Sequence, residues 1–439
     1  MKNYLLLLLV PLFLFSCKDP RKGKYPERRT EQNESKNQEV AAPEAALVPV
    51  TATPFEKPIV NVYVENSGSM LGYINGQTDF IHSLYNYLSD IRIADIASEI
   101  NLFYINKSVI YRGNDIPEFI NQMSSNNFLI GNTGTSDIAD VLGTVLSETT
   151  SNTISILVSD FIFSPGNQID AKDYLNNQQT SIKNQFADKL KENNDLAAVI
   201  YQLYSQFEGY YYNIHDKTTK IDAIRPYYIW VMGDADHISH LKKTIPDNRF
   251  KGSGIKNSYT ILPTFDEIEY AVLSNPKYGS FKRDKEDPTK SIYDLNKEKK
   301  GMHSGEFMFT IGADLSVFNT LLGNSYIMDD NNYLFLFDQA TTENFSFNIS
   351  QNSNISESNH THHFQIMPHK LPTGELEIFL TNKIPQWVHG SNDEIGMDIN
   401  TQGAMEKTFG IKNVVQGVFE AYETLGYTNY WQMKIILKK

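Results

Sequence analysis

The sequence predicts an α/β fold built on a doubly wound, mostly parallel sheet, followed by a β-rich, sandwich-like module interrupted by one helix. Two observations lead there. Between about residues 59 and 245, short apolar runs alternate with stretches of helical period. Strands separated by helices in that rhythm need right-handed crossovers and a sheet covered on both faces. From about Tyr259 the helical rhythm gives way to short, alternating, aromatic-rich pieces.

The chain of 439 residues, 41% hydrophobic and 12% aromatic, is long enough for two or more domains with real cores. A formal charge of -13 leaves no excess of Lys and Arg to neutralise phosphates, which argues against nucleic acid or an anionic membrane surface as a general partner. Cationic partners or metal ions fit the charge better.

Residues 1–17, "MKNYLLLLLVPLFLFSC", combine Lys2, an apolar stretch too short to span a bilayer, and Cys17. That pattern is an export signal, and "LFSC" resembles the lipobox of bacterial lipoproteins, in which the cysteine is lipidated. The resemblance implies a lipid-anchored envelope protein; Lys18 and Asp19 after Cys17 are compatible with retention at the outer membrane, with its periplasmic or surface orientation open. The alternative for Cys17, the only cysteine, is a free thiol or an intermolecular bridge. Residues 18–58 are polar and charged, then rich in Ala, Pro, Val and Thr, and read as a disordered tether. As a flexible coil it would hold the folded part on the order of 35 Å from the lipid.

The first domain is expected over 59–250. "IVNVYV" (59–64) reads as a buried strand, "DFIHSLYNYLSDI" as a helix with Phe80, Leu84, Tyr87 and Leu88 on one face, and "NLFYIN" with "SVIYR" as a strand pair turning at Lys107. After the short helix "IPEFINQM" and a polar loop, "TSDIADVLGTVLS" places Ile138, Val141, Leu142, Val145 and Leu146 on one face, with Thr135 or Ser136 as its cap. "TISILVS" is a strand ending just before Asp160. Then follow a polar helix from Lys172, the strands "LAAVIYQLY" and "PYYIWVMG", and the helix "DADHISHLKK".

In such sheets the reactive edge lies at the carboxyl ends of the strands. Glu65, Ser67 and Ser69 follow the first strand, Asp160 follows a later one, and Thr135 opens a helix that points to the same edge. Together they offer hydroxyls and carboxylates without His or Cys, a donor set suited to Mg²⁺, or Mn²⁺ or Ca²⁺, and unsuited to zinc. Taken singly, each has a bland role: Ser67 and Ser69 in a turn, Thr135 as a cap, Asp160 capping the next turn.

With "ENSGS" after the first strand, "GTSDIADVL" before a helix and "ILVSD" at a strand end, the segment 59–245 resembles the von Willebrand factor A domain family. Its metal-ion-dependent adhesion site has a DxSxS motif, a Thr in a later loop and an Asp after the fourth strand. The resemblance implies that Glu65, Ser67, Ser69, Thr135 and Asp160 bind a metal, with a coordination position open to a partner's carboxylate. Thr133 is a weaker alternative to Thr135. Two departures stand out. Glu65 replaces the family's Asp, so it acts through water, reaches the metal itself, or leaves a site that binds nothing. Between the strands at 197 and 226, where the family has a crossover helix, "SQFEGYYYNIHDKTTKIDAIR" is Tyr-rich and non-helical, consistent with an extended hairpin.

The second module is expected over 255–439. "KRDKEDPTKSIYDLNKEKK" reads as a solvated charged loop. The strand-like pieces are "EFMFTIG", "NYLFLFD", "NFSFNIS", "HHFQIMP", "ELEIFLTN" and "YWQMKIILKK". One helix places Ile411, Val414, Val415, Val418, Phe419 and Tyr422 on a single face. His360 and His362 would share a strand face, but no third metal ligand is evident. Trp387 sits in a loop-like setting open to carbohydrate or protein, and Trp431 reads as core.

Three functions compete. The first is a binding, adhesion or scaffolding lipoprotein that engages a protein or matrix polymer through the cation site. The second is a serine hydrolase using Ser67 or Ser69, although no GxSxG elbow is present and no His is an obvious base, with His82 and His237 as candidates. The third is an envelope assembly factor with a vestigial metal site that docks through the β-rich module.

Overall fold

In strand β1 (Ile59–Glu65), Val60, Val62 and Val64 enter one apolar cluster while Tyr63 enters another. The split recurs in β4 (Thr153–Ser159), where Ile154, Ile156 and Val158 oppose Leu157. A strand apolar on both sides needs a layer on each. Helices Asp79–Ile93 and Ala235–Thr244 supply one layer through Leu84, Leu88, Ile238 and Leu241. Helices Ile138–Glu148, Ala171–Glu192 and Ile411–Thr424 supply the other.

The computed structural model describes residues 55–439 apart from 124, 132, 134–136, 164–169, 266–267 and 352–359. Cys17, the expected export signal and the tether up to residue 54 lie outside the described residues, as does Thr135. Residues 55–439 form one compact unit. Among the described residues no helix is long and apolar enough to cross a membrane.

With β2 (Glu99–Ile105), β3 (Val109–Tyr111), β5 (Leu196–Tyr212), β6 (Thr218–Asp234) and β7 (Ile255–Ile261), the sheet has the order β3-β2-β1-β4-β6-β5-β7. It is mixed. Parallel ladders join β2, β1 and β4, and antiparallel ladders join β2 to β3, β4 to β6, β6 to β5, and β5 to β7. The reason is the segment where a crossover was absent from the sequence pattern. β5 and β6 are 17 residues each and form one long hairpin, so β6 enters beside β4 running the opposite way. The parallel arrangement expected from the sequence therefore holds only across β2, β1 and β4.

Several local expectations change. The helix at Ile138 is capped by Asp137, whose carboxylate accepts from Asp140 N at 3.2 Å, rather than by Thr135 or Ser136. β7 begins beyond the expected boundary at 250 yet forms the edge of the first sheet. The charged run from Lys282 contributes the paired strands Ser280–Arg283 and Ser291–Asn296, not merely a loop. The helix Ile411–Thr424 leaves the β-rich module to pack on Ala171–Glu192, where Gly417 allows an approach so close that a Cβ would lie 2.6 Å from the Gln179 carbonyl. Its Tyr422 hydroxyl donates to Leu196 O at 2.8 Å.

The rest of the chain folds as two facing sheets. Strands Ala340–Thr341, Tyr333–Phe337, Gly374–Thr381, Asn429–Leu437, Ser291–Asn296 and Ser280–Arg283 form a six-stranded sheet in that spatial order. Phe345–Ser350, His362–Pro368, Phe309–Ala313 and Tyr270–Val272 form a four-stranded one. Rings meet between them: Tyr333 with Phe347 and Phe364 at 5.7 and 5.6 Å, and Phe364 with Trp431 at 6.1 Å. Trp431 is fully buried core, as expected. Trp387 sits half-buried in the short helix Gln386–Gly390, its indole donating to Ser258 O at 3.3 Å.

His362 and His363 are buried at the start of their strand, whereas His360 precedes it and its ring lies over Gly312. His362 is held by Thr361 Oγ1 at 2.9 Å and Gln351 Nε2 at 3.0 Å. Among the described residues no group of three or more His, Cys, Asp or Glu is arranged to hold a metal.

Candidate functional site

β1 and β4 run parallel with Val64 opposite Val158, so the residues that follow each strand leave the sheet at the same edge. Glu65, Ser67 and Ser69 come from one side and Ser159 and Asp160 from the other. Ser67 Oγ and Ser69 Oγ are 3.0 Å apart. Glu65, 2% exposed, accepts a short hydrogen bond from Ser159 Oγ, which in turn accepts from Phe161 N at 2.8 Å. The longer side chain that distinguishes Glu from Asp is thus anchored across the strand gap by Ser159.

Asp160 is 1% exposed. Its Oδ1 accepts from Ile162 N at 3.2 Å, while Oδ2 is buried with no hydrogen-bond partner. Burial pushes this carboxyl above the ordinary carboxylate range, opposed by the Ile162 amide, the Ser69 hydroxyl and the positive charge of Arg225. An ionised oxygen buried without a donor is costly unless something else neutralises it.

The turn after Asp160 is strained. Phe161 adopts φ 53°, a left-handed conformation that bulky residues avoid. Its ring is fully buried and stacks on Trp230 at 5.1 Å, so core packing holds the conformation and with it the direction of Asp160. Asn66, another residue the sequence reading passed over, braces the rim. Its Nδ2 donates to Phe128 O at 2.9 Å and Ile130 O at 3.0 Å, and its Oδ1 accepts from Asn106 Nδ2 at 2.6 Å. These bonds tie β1 to the loop that leads towards Thr135, itself outside the described residues. Thr133 is half-buried in that loop.

The long hairpin covers the site. Glycines let its backbone come down on the Ser67–Tyr73 segment: a Cβ on Gly68 would lie 3.0 Å from the Tyr212 hydroxyl, one on Gly72 would lie 2.4 Å from the Phe207 ring, and one on Gly209 would lie 2.8 Å from Gly72 Cα. A second arm, from the β-rich part, reaches the hairpin tip, where Ile214 N donates to Gly396 O at 3.1 Å and Asn213 Nδ2 to Met397 O at 3.1 Å. Arg225, on β6 of the hairpin and not singled out in the sequence, reaches that arm. It is 1% exposed, sits 5.1 Å from the Tyr211 ring centre, and donates from Nη1 to Ala404 O and Met405 O at 3.4 and 3.3 Å. The only signal was a single positive charge in "IDAIRPYYIWV" just before an apolar run.

His237 lies at the opposite edge of the sheet, because β6 runs antiparallel to β4 and the residue follows its end. Its Nε2 is 3.1 Å from the carbonyl of Glu56, ahead of β1. His82 sits exposed in the helix Asp79–Ile93. Comparison of the chain with family models, curated proteins and solved structures finds no match.

Proposed function

We propose that the chain is a binding module, an adhesion or scaffolding protein anchored to the bacterial cell envelope by lipid at Cys17, and that it engages a protein or matrix polymer through a hard divalent cation, Mg²⁺ first and Mn²⁺ or Ca²⁺ next. One observation carries this reading: Ser67, Ser69 and Asp160 meet at one sheet edge, with Asp160 Oδ2 buried and unpartnered. The fit of the donors supports it. Two hydroxyls and a carboxylate are hard oxygens, and a cation would satisfy the orphaned Oδ2. The ion would offer an open coordination position to a partner's carboxylate, as the resemblance of "ENSGS" and "ILVSD" to the von Willebrand factor A metal site implies. Glu65, with one oxygen engaged by Ser159, suits a role through water rather than direct ligation.

A hydrolase has less support. Among the described residues no hydrogen bond joins Ser67 or Ser69 to a histidine, and His237 belongs to the far edge. The assembly-factor reading differs from ours in requiring that no cation bind. Calorimetric titration of the full chain with MgCl₂ and MnCl₂ separates them. Saturable heat in the wild type that disappears in Ser69→Ala is the expected result. Absence of heat in the wild type would remove the cation bridge.

A further inference from the structure

The hairpin puts into the site a charge of its own. Tyr228 on β6 pairs with Ser159, the last residue of β4, and β6 is antiparallel. The residues before Tyr228 therefore project past the edge where Asp160 lies, and Arg225 is among them. A parallel strand would enter from the other edge and could not deliver this side chain. Arg225 is fully buried, its Nη2 has no hydrogen-bond partner, and its Nη1 donates to the Ala404 and Met405 carbonyls at 3.4 and 3.3 Å. One nitrogen of this guanidinium is thus left without a partner, and its positive charge acts on Asp160 and on the Tyr73 hydroxyl. Two buried groups of opposite charge, each with an unpartnered atom, thus share one locus.

We propose that Arg225 sets the cation affinity of the site: it holds the Asp160 charge when no divalent ion is present and opposes the ion when one arrives. The inference rests on the reading of Ser67, Ser69 and Asp160 as a cation site and adds what limits occupancy there. A fixed positive charge in a water-poor setting repels a dication more strongly than the same charge in solvent, and salt screens it little. Arginine is suited to the part because it stays protonated at every accessible pH. The site then discriminates by charge as well as by donor type.

The test is a Mn²⁺ titration of the full chain by calorimetry, comparing wild type with Arg225→Met, Arg225→Gln, Arg225→Lys and the double variant Arg225→Met/Ser69→Ala. Met and Gln are expected to bind at least tenfold tighter than wild type, about 1.4 kcal/mol. Lys is expected to stay near wild type, and the double variant to lose the gain. Equal or weaker binding by Met and Gln, with wild-type binding still dependent on Ser69, overturns the role of Arg225 and leaves the cation site standing. No binding by any variant overturns both. If the neutral variants are unfolded in chelator, Mn²⁺ is expected to restore a cooperative thermal transition. Failure to do so counts against the proposal.

Discussion

Replacing Gly209 by Ala is expected to destabilise the folded unit by about 2–3 kcal/mol, the upper part of the range for overpacking. The position lies on β5 where the hairpin crosses the segment after β1. A Cβ there would sit 2.8 Å from Gly72 Cα and 3.1 Å from Gly72 N, and backbone cannot turn aside as a flexible side chain can. Gly72 meets the same crossing from below, where a Cβ would lie within 2.6 Å of three atoms of the Phe207 ring. That ring is buried and packs edge-on against Tyr73 at 4.9 Å, so it has no free space to enter. Relief requires the hairpin to lift, which would also withdraw Tyr212 and Arg225 from the sheet edge at Ser67 and Asp160. Gly390→Ala is the control: no atom lies within 4 Å of its added Cβ, and a change within about 0.5 kcal/mol is expected. Equal effects at Gly209 and Gly390 in chemical denaturation would contradict the close crossing.

The second large effect is a loss of stability in mild acid that originates in the β-rich part. Burial pushes His362 down to about 4 from its ordinary 6.5, and the neighbouring His363 adds to the depression while Asp314 opposes it. A histidine whose folded value is depressed binds its proton more readily when unfolded, so its contribution is present above pH 6.5 and disappears as pH falls towards 4. At about 1.4 kcal/mol per unit, the full window corresponds to roughly 3 kcal/mol. His363 is also depressed by burial and acts in the same direction. Urea unfolding of the full chain at pH 7.5 and pH 4.5 is expected to show a wild-type loss larger than that of His362→Gln by about 2–3 kcal/mol. Gln retains an amide for Thr361 and Gln351. Equal losses in the two proteins would place the acid sensitivity elsewhere.

Much of the first layer was legible because its signals are local. The apolar runs at 59–64 and 153–159 and the helical faces around Leu84 and Leu142 appear where period and capping chemistry place them. Strand direction was not legible, since an antiparallel β6 has the same buried residues as a parallel one. The departure was visible only as a Tyr-rich stretch without helical period between 205 and 225. The same limit hid Arg225, whose place in the site follows from that reversal and from an arm nearly 180 residues further along the chain. The helix at Ile411 showed its apolar face plainly, but which layer the face would cover depended on long-range packing against Gln179 and Ile182. Of the site itself, the sequence order of Glu65, Ser67, Ser69 and Asp160 was informative because parallel neighbours share a carboxyl edge. The anchoring of Glu65 by Ser159 was not, because it depends on the pairing of two strands.

Whether Ser67, Ser69 and Asp160 cradle a hard divalent ion is decided by a crystal structure of the protein soaked in MnCl₂, with the ion located by anomalous scattering. A Mn²⁺ peak is expected about 2.0–2.6 Å from the Ser67 and Ser69 hydroxyls, with Asp160 Oδ2 bound to it directly or through one water. A structure at saturating Mn²⁺ with no peak at this edge, and with Asp160 Oδ2 paired to Arg225 instead, would contradict a cation site there.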